Sequence, residues 1–393
     1  MVLSINSRLV LVPIDIRKDQ KHFIVEDPAS GEFYEMPEIC IDTINLINKG
    51  LSLVEIELLL VEKYPKEDIE LIDFAEQLLE INLIAEIDGM PVEIQEKERD
   101  TLGFMGISPK LGKFFFNKIA YFVYLFFFLF NLSMFIAKPT LIPHYKDLFI
   151  FDLMILNIPT WIILTVCLVL FHEFGHILAI RAQNLPTKLE VGHRLFLIVL
   201  ETDMSLAWKL PSKARNGLYL SGLCFDTIIL SFALISQILF PNGSAVFLSI
   251  LNFVVFNTFI RMVYQFCIYM KTDIYYFVEN VTGCYNLLEN AQQMLKNKLL
   301  FFKPSSINDD IFSSERKTVA VYSIFYLAGV VLTISLYLIF YIPQLLFAWN
   351  EVLPGFKESP ASLPFWDAAI FSLLVITGIM ILFYSWNKKY LRN

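Results

Sequence analysis

A chain of 393 residues that is 56% hydrophobic and 18% charged, with positive mean hydropathy, is no ordinary soluble domain and reads as a polytopic membrane protein carrying a soluble part. The net charge of −8 is uneven: residues 1–100 hold 9 Lys and Arg against 23 Asp and Glu, a net −14, and the remainder is +6. No clustered basic face is present, which argues against a nucleic-acid partner. The five cysteines have no CxxC pair and read as small core residues, neither a disulfide frame nor a thiolate metal site.

The chain opens without a cleavable signal peptide, since residues 1–20 already carry Arg8, Asp15, Arg17, Lys18 and Asp19. Residues 21–27 and 32–36 are strand candidates joined by the turn Pro28-Ala29-Ser30-Gly31. Helical spacing of apolar residues follows over 39–48 and 53–64, with Ser52 as cap and Pro65 as stop, and again from about 67 to 82. Residues 83–94 read as a short hairpin around Asp88-Gly89. Two strands, three helices and a β-wing describe a small α/β, winged-helix-like unit over residues 1–95.

The stretches FIVEDPASGEFYEMP, INLINKG and LLEINLIAEID give this unit its likeness to a known family. It resembles the PqqD-like domains that recognise leader peptides in ribosomally synthesised peptide pathways. The resemblance implies that a leader adds as a strand beside the hairpin and packs against a helix. A DNA-binding winged helix is the competing reading, and the acidic balance opposes it, because phosphate contacts need Lys and Arg.

A polar linker, residues 96–116, leads to six apolar spans at about 117–137, 158–182, 216–240, 244–270, 318–345 and 364–386. Residues 147–157 are apolar on one face and end before Pro159, as an interfacial segment would. Most Lys and Arg lie on one side of these spans: Lys110, Lys113 and Lys118 before the first, Arg181 to Arg215 after the second, Lys271 to Lys317 after the fourth, and Lys388, Lys389 and Arg392 at the end. The opposite loops carry only Lys138, Lys146 and Lys357. The positive-inside rule then puts both termini in the cytoplasm of a multi-pass cell-membrane protein.

Residues 172–176 read His-Glu-Phe-Gly-His inside the second span. A helix brings residues four apart onto one face, so His172 and His176 can both address one Zn²⁺, and Glu173 can serve as base to a water beside it. A lone histidine on an apolar face is ordinarily a satisfied core residue. Two at this spacing, with a carboxylate between them at membrane depth, are costly without a function. A catalytic zinc site needs a third protein ligand. Asp226 in the third span, Asp203 in the preceding loop and Asp273 after the fourth span are the candidates. Depth favours Asp273, which lies near the height of His176. Asp226, after the small pair Ser221-Gly222, is otherwise a buried acid or a group orienting one of the histidines.

The pieces FHEFGHILAIRAQNLP, TDMSLAWKLPSKARNGLYLSG and MKTDIYYFVENVTGCYNL carry a second likeness, over residues 100–295. They resemble the site-2 protease superfamily of intramembrane zinc metalloproteases, and within it the peptide zinc metalloproteases of bacterial peptide clusters. The resemblance implies a metalloprotease core over residues 117–295, with the C-terminal loop and two further helices over 296–393. It also implies Asp273 as third ligand and Gln265 in place of an asparagine that contacts substrate. Both prolines of that family segment are absent here, and Ile274 stands where it has glycine. It further implies a membrane-associated hairpin, matched by the β-prone residues 188–201, in which His193 reads as an interfacial polar residue.

Together these readings predict a zinc endopeptidase with His172, His176 and Asp273 on the metal and Glu173 as base, acting on a ribosomal precursor peptide in maturation or leader removal, with coupling to export as an extension of that role. Two alternatives stand beside it: a regulatory intramembrane protease acting on a membrane-anchored regulator, and a non-enzymatic export or immunity partner. A structural role for the zinc is opposed by Glu173 and by there being only three obvious ligands.

Overall fold

The computed structural model describes residues 3–65, 67, 69–93, 103–194, 197–298 and 315–390. The linker stretch 96–102, Lys303 and Arg392 therefore lie outside the described residues. The chain forms two compact units. One is drawn from Met1–Leu102, Met204–Ala214 and Gly283–Tyr285, the other from Gly103–Asp203, Arg215–Thr282 and Asn286–Asn393.

The first unit runs β1 (Leu9–Leu11), β2 (Asp15–Asp19), β3 (His22–Asp27), β4 (Glu32–Met36), α1 (Glu38–Ile47), α2 (Leu53–Lys63), α3 (Leu71–Glu80), β5 (Ile84–Ile87) and β6 (Met90–Pro91). Two antiparallel sheets result, ordered β2-β3-β4 and β1-β5-β6. Asp27 closes the β3–β4 turn by accepting from Ala29 N at 2.9 Å and Ser30 Oγ at 2.6 Å, and Gly31 supplies the left-handed residue at φ +78°. Ser52 and Glu55 cap α2 reciprocally. Val25, Ile44, Ile56, Leu60, Leu78 and Ile84 form the core. The other face of the β2-β3-β4 sheet is also covered: Ile24 is 2% exposed, Lys209 pairs with Glu26 at 2.8 Å, and the Tyr285 hydroxyl donates to Asp19 at 3.0 Å. Strands β1 and β2 are additions to the sequence reading. β2 (DIRKD) has one apolar residue, so its place is set by pairing with β3 and not by alternation.

The second unit contains α4 (Pro109–Phe115), α5 (Lys118–Ala137), α6 (Met154–Ala182), β7 (Leu189–Arg194), β8 (Leu197–Thr202) and α7 (Ser212–Tyr219), which begins in the first unit. It continues with α8 (Ser221–Leu239), α9 (Ala245–Tyr264), α10 (Asp273–Thr282), α11 (Leu287–Lys298), α12 (Arg316–Leu336), α13 (Ile342–Val352) and α14 (Leu363–Tyr390). Among the described residues, six helical stretches are long and apolar enough to cross a bilayer: Lys118–Ala137, Met154–Ala182, Ser212–Leu239, Ala245–Tyr264, Arg316–Lys357 and Leu363–Met380. β7 and β8 pair as a two-stranded antiparallel hairpin.

Three boundaries differ from those read in the sequence. α6 starts at Met154 and carries Pro159 within it, so part of the expected interfacial segment belongs to this helix. Its first turn is capped from elsewhere: Asp367 of α14 accepts from Met154 N at 3.0 Å and Ile155 N at 2.6 Å, a negative charge at the positive end of the helix. α9 stops at Tyr264, six residues short of the expected end, and the bend needs no proline. A 3-10 turn at Ile268–Met270 and Lys271 at φ +52° redirect the chain so that Asp273 starts α10. α12 runs through a π turn at Tyr337–Tyr341 into α13, where Pro343 removes a backbone donor and crowds the preceding turn.

Candidate metal centre

α6 and α8 cross closely because glycine lies at the contact on both. A Cβ on Gly175 would press on the Ser221 carbonyl oxygen at 2.7 Å, and one on Gly222 would collide with Nε2 of both His172 and His176. The absent side chain at Gly222 is the room into which the two imidazoles point.

Three ligand atoms converge there. His172 Nε2 and His176 Nε2 are 3.3 Å apart, and Asp273 Oδ2 lies 3.1 Å from the first and 3.3 Å from the second. Among the described residues this is the one His, Cys, Asp or Glu group assembled closely enough to hold a metal ion. Both histidines are buried, while the Asp273 side chain keeps 14% of its surface exposed.

The far ring nitrogens decide what the near ones can do. His172 Nδ1 is 2.9 Å from Asp226 Oδ2, and His176 Nδ1 is 3.0 Å from the Leu218 carbonyl oxygen. A carboxylate and a carbonyl only accept, so each Nδ1 carries the proton and donates it. Ser221 supports the second contact, donating its hydroxyl to the same Leu218 oxygen at 2.6 Å. In the neutral imidazoles each Nε2 then presents a bare lone pair. Two lone pairs and a carboxylate oxygen facing one another at about van der Waals distance repel unless a cation lies between them.

Each ligand is also held from behind. Asp226 is fully buried and takes Arg261 through both Nε, at 3.2 Å, and Nη2, so the carboxylate on His172 is itself neutralised. Gln265 grips Asp273 at two points: its Nε2 donates to Oδ2 at 3.1 Å, and its Oε1 accepts from the Asp273 backbone N–H at 3.0 Å. The amide of Gln265 thus faces the candidate ligand. Glu173 is buried beside the pair, with Oε1 4.0 Å from His172 Nε2. Its Oε2 accepts from Thr202 twice, from the backbone N–H and from the hydroxyl, each at 2.8 Å.

Of the other candidates, Asp203 is not in the cluster, and its backbone carbonyl accepts from Thr187 at 2.6 Å. The side chain of His193 lies outside the described residues. Arg261, Thr202 and Gly222 are contributors that the sequence reading did not assign. Arg261 could have been found, since it is a charge inside an otherwise apolar span. Chemically, His172, His176 and Asp273 form a group that could hold a cation, with oriented imidazoles and the Glu173 carboxylate alongside. The chain matches no family model, and neither a curated protein nor a solved structure is significantly similar to it.

Proposed function

We propose that this chain is a membrane-embedded zinc endopeptidase that cuts a ribosomally synthesised precursor peptide. The observation that carries the reading is the convergence of His172 Nε2, His176 Nε2 and Asp273 Oδ2 beside Glu173. A tetrahedral Zn²⁺ with bonds of about 2.0–2.1 Å keeps its ligand atoms roughly 3.3 Å apart. The separations of 3.1–3.3 Å fit that ion. Two imidazoles and one carboxylate also form a ligand set of the catalytic kind, which leaves a position open.

His172, His176 and Asp273 would hold the ion, which when bound supplies Lewis acidity toward the scissile carbonyl and the attacking water. Glu173 accepts the proton of that water and returns it to the departing amine. Thr202 fixes the rotamer of Glu173, so the base does not have to be ordered during the reaction. Arg261, through Asp226, keeps His172 in the tautomer that presents Nε2, and Gln265 keeps Asp273 aimed. Among the described residues the β7–β8 hairpin is a two-stranded sheet, and an unwound substrate segment at bilayer depth needs strand partners for its backbone.

The acidic N-terminal unit, with its likeness to leader-binding domains, holds the precursor by its leader through strand addition. Because the two units share one chain, leader binding raises the local concentration of the cleavable segment. The positive-inside pattern puts both termini, and the metal-facing end of α6, on the cytoplasmic side.

The test is co-expression with a neighbouring small-peptide gene, following precursor mass. The wild type is expected to shorten the precursor and Glu173→Gln to leave it intact. Equal processing by both would overturn the hydrolytic reading.

A further inference from the structure

Between α5, α8 and α9 lies a cavity of about 500 Å³, lined among others by Leu125, Phe128, Leu132, Leu223, Phe259 and Met262. Of the polar groups on its wall, those of Asn131, Thr227 and Tyr124 are engaged elsewhere. Asn131 Nδ2 donates to the Thr227 carbonyl at 3.0 Å and its Oδ1 accepts from Ser231 at 2.8 Å. The Thr227 hydroxyl donates to Leu223 O at 2.8 Å, and the Tyr124 hydroxyl to Phe115 O at 3.2 Å. Leu125, Leu132 and Phe266 are exposed, so the cavity opens sideways on the apolar outer surface of the helices.

These properties select an occupant. An extended peptide would leave its N–H and C=O groups without partners against such a wall. A helix about 10–12 Å thick that rises 1.5 Å per residue fills roughly 120–170 Å³ per residue, so the space takes only three or four residues of one. An alkyl chain needs no hydrogen bonds and fits.

Charge complementarity names what the chain belongs to. Lys118 lies on the same stripe of α5 as Tyr121, Leu125, Phe128 and Leu132, one turn beyond the cavity, and is exposed. From Pro109 to Ala137 the chain carries Lys110, Lys113 and Lys118 and no acidic residue. We propose that the cavity binds one acyl chain of an anionic glycerophospholipid, whose phosphate pairs with Lys118. Leu223 follows Gly222 and Ile274 follows Asp273, so the bound chain packs directly behind the metal centre. This site rests on the helices lying in a bilayer and is independent of any hydrolysis.

The test uses the full chain reconstituted in phosphatidylcholine vesicles with a trace of phosphatidylglycerol bearing a diazirine on one acyl chain. The same probe with a choline headgroup is the second arm, and adducts are mapped by peptide mass spectrometry on the wild type. Glycerol-probe adducts are expected on the lining residues Leu230, Phe259 and Met262 in about fivefold excess over Phe122 and Leu129 on the outer face of α5. Lys118→Glu is expected to abolish the preference for the glycerol headgroup, and Leu132→Trp with Cys224→Phe to remove the inner adducts. Equal labelling of inner and outer positions on the wild type means bulk lipid only and overturns the site. Equal labelling by both probes overturns the anionic assignment. Labelling of the inner positions by a diazirine-bearing single-span peptide that displaces the lipid probe makes the cavity a peptide site and also overturns it.

Discussion

Thr202, the last residue of β8, donates its backbone N–H and its hydroxyl to the same oxygen of Glu173, each at 2.8 Å. A strand end is thereby bonded to the carboxylate proposed as base. Hydrogen bonds to a charged group contribute roughly 1.5–3 kcal/mol. Thr202→Val keeps the shape and the backbone contact and removes the hydroxyl. Precursor cleavage is expected to slow by about tenfold in kcat with little change in KM. An unchanged kcat would show that Thr202 does not set the base.

The pair of buried Asp226 and half-buried Arg261 predicts an effect on metal affinity from residues outside the candidate ligand set. Asp226→Asn and Arg261→Leu are each expected to weaken zinc binding by about 10–100-fold, as loss of groups that orient histidine ligands does. Competition with a zinc chelator measures it. Asp273→Ala is expected to lose zinc altogether, so full zinc content in that variant would remove Asp273 from the ligand set.

Gln265 separates two roles by kinetics. Held as it is against Asp273, it is expected to act as a positioning residue, and Gln265→Leu should lower zinc affinity by about tenfold while leaving KM for the peptide unchanged at saturating zinc. A raised KM with normal zinc affinity would return Gln265 to the substrate.

Glu279, in α10, accepts from the Tyr275 hydroxyl and from Leu287 N at 3.2 Å. Burial nonetheless pushes its carboxyl up to about 7 from 4.5. The folded protein therefore favours the protonated form. The corresponding stability is fully present below pH 4.5 and lost as pH rises to about 7, amounting to about 3 kcal/mol. Melting temperature in detergent is expected to fall between pH 5 and pH 8 for the wild type. Glu279→Gln, which cannot ionise, is expected to flatten that slope, and an identical slope in both would refute the assignment.

What could be read in the sequence was whatever depends on short periodicity. His172, Glu173 and His176 announce themselves because four residues make about one helical turn, and the β7–β8 hairpin follows from a β-prone run between two spans. Asp273 could be placed by depth along the chain and by the resemblance, not by any local pattern. The contacts that orient the centre were not legible. Thr202 meets Glu173 across 29 positions and Arg261 meets Asp226 across 35, and no local pattern encodes either pairing. Strand β2 was missed because it lacks alternation, and the cap that Asp367 places on α6 joins helices more than two hundred residues apart. The last helices carried no signal but hydrophobicity, yet one of them closes the N-terminus of the helix that bears both histidines.

The early end of α9 gives the centre two walls of unequal stiffness. His172 and His176 sit on one helix of 29 residues, and their separation is fixed by its pitch. Asp273 instead opens a helix of ten residues beyond a left-handed bend at Lys271, tied to the end of α9 through Gln265 alone among the contacts described above. A cation bridging the two fastens the short helix to the long one, so its binding energy appears as order in α10 and not in the spans. Removing the ion should raise amide exchange across Ile274–Thr282 and leave Leu164–Phe171 untouched. The molecule would then work as a clasp, whose hinge is Lys271 and whose pin is the metal.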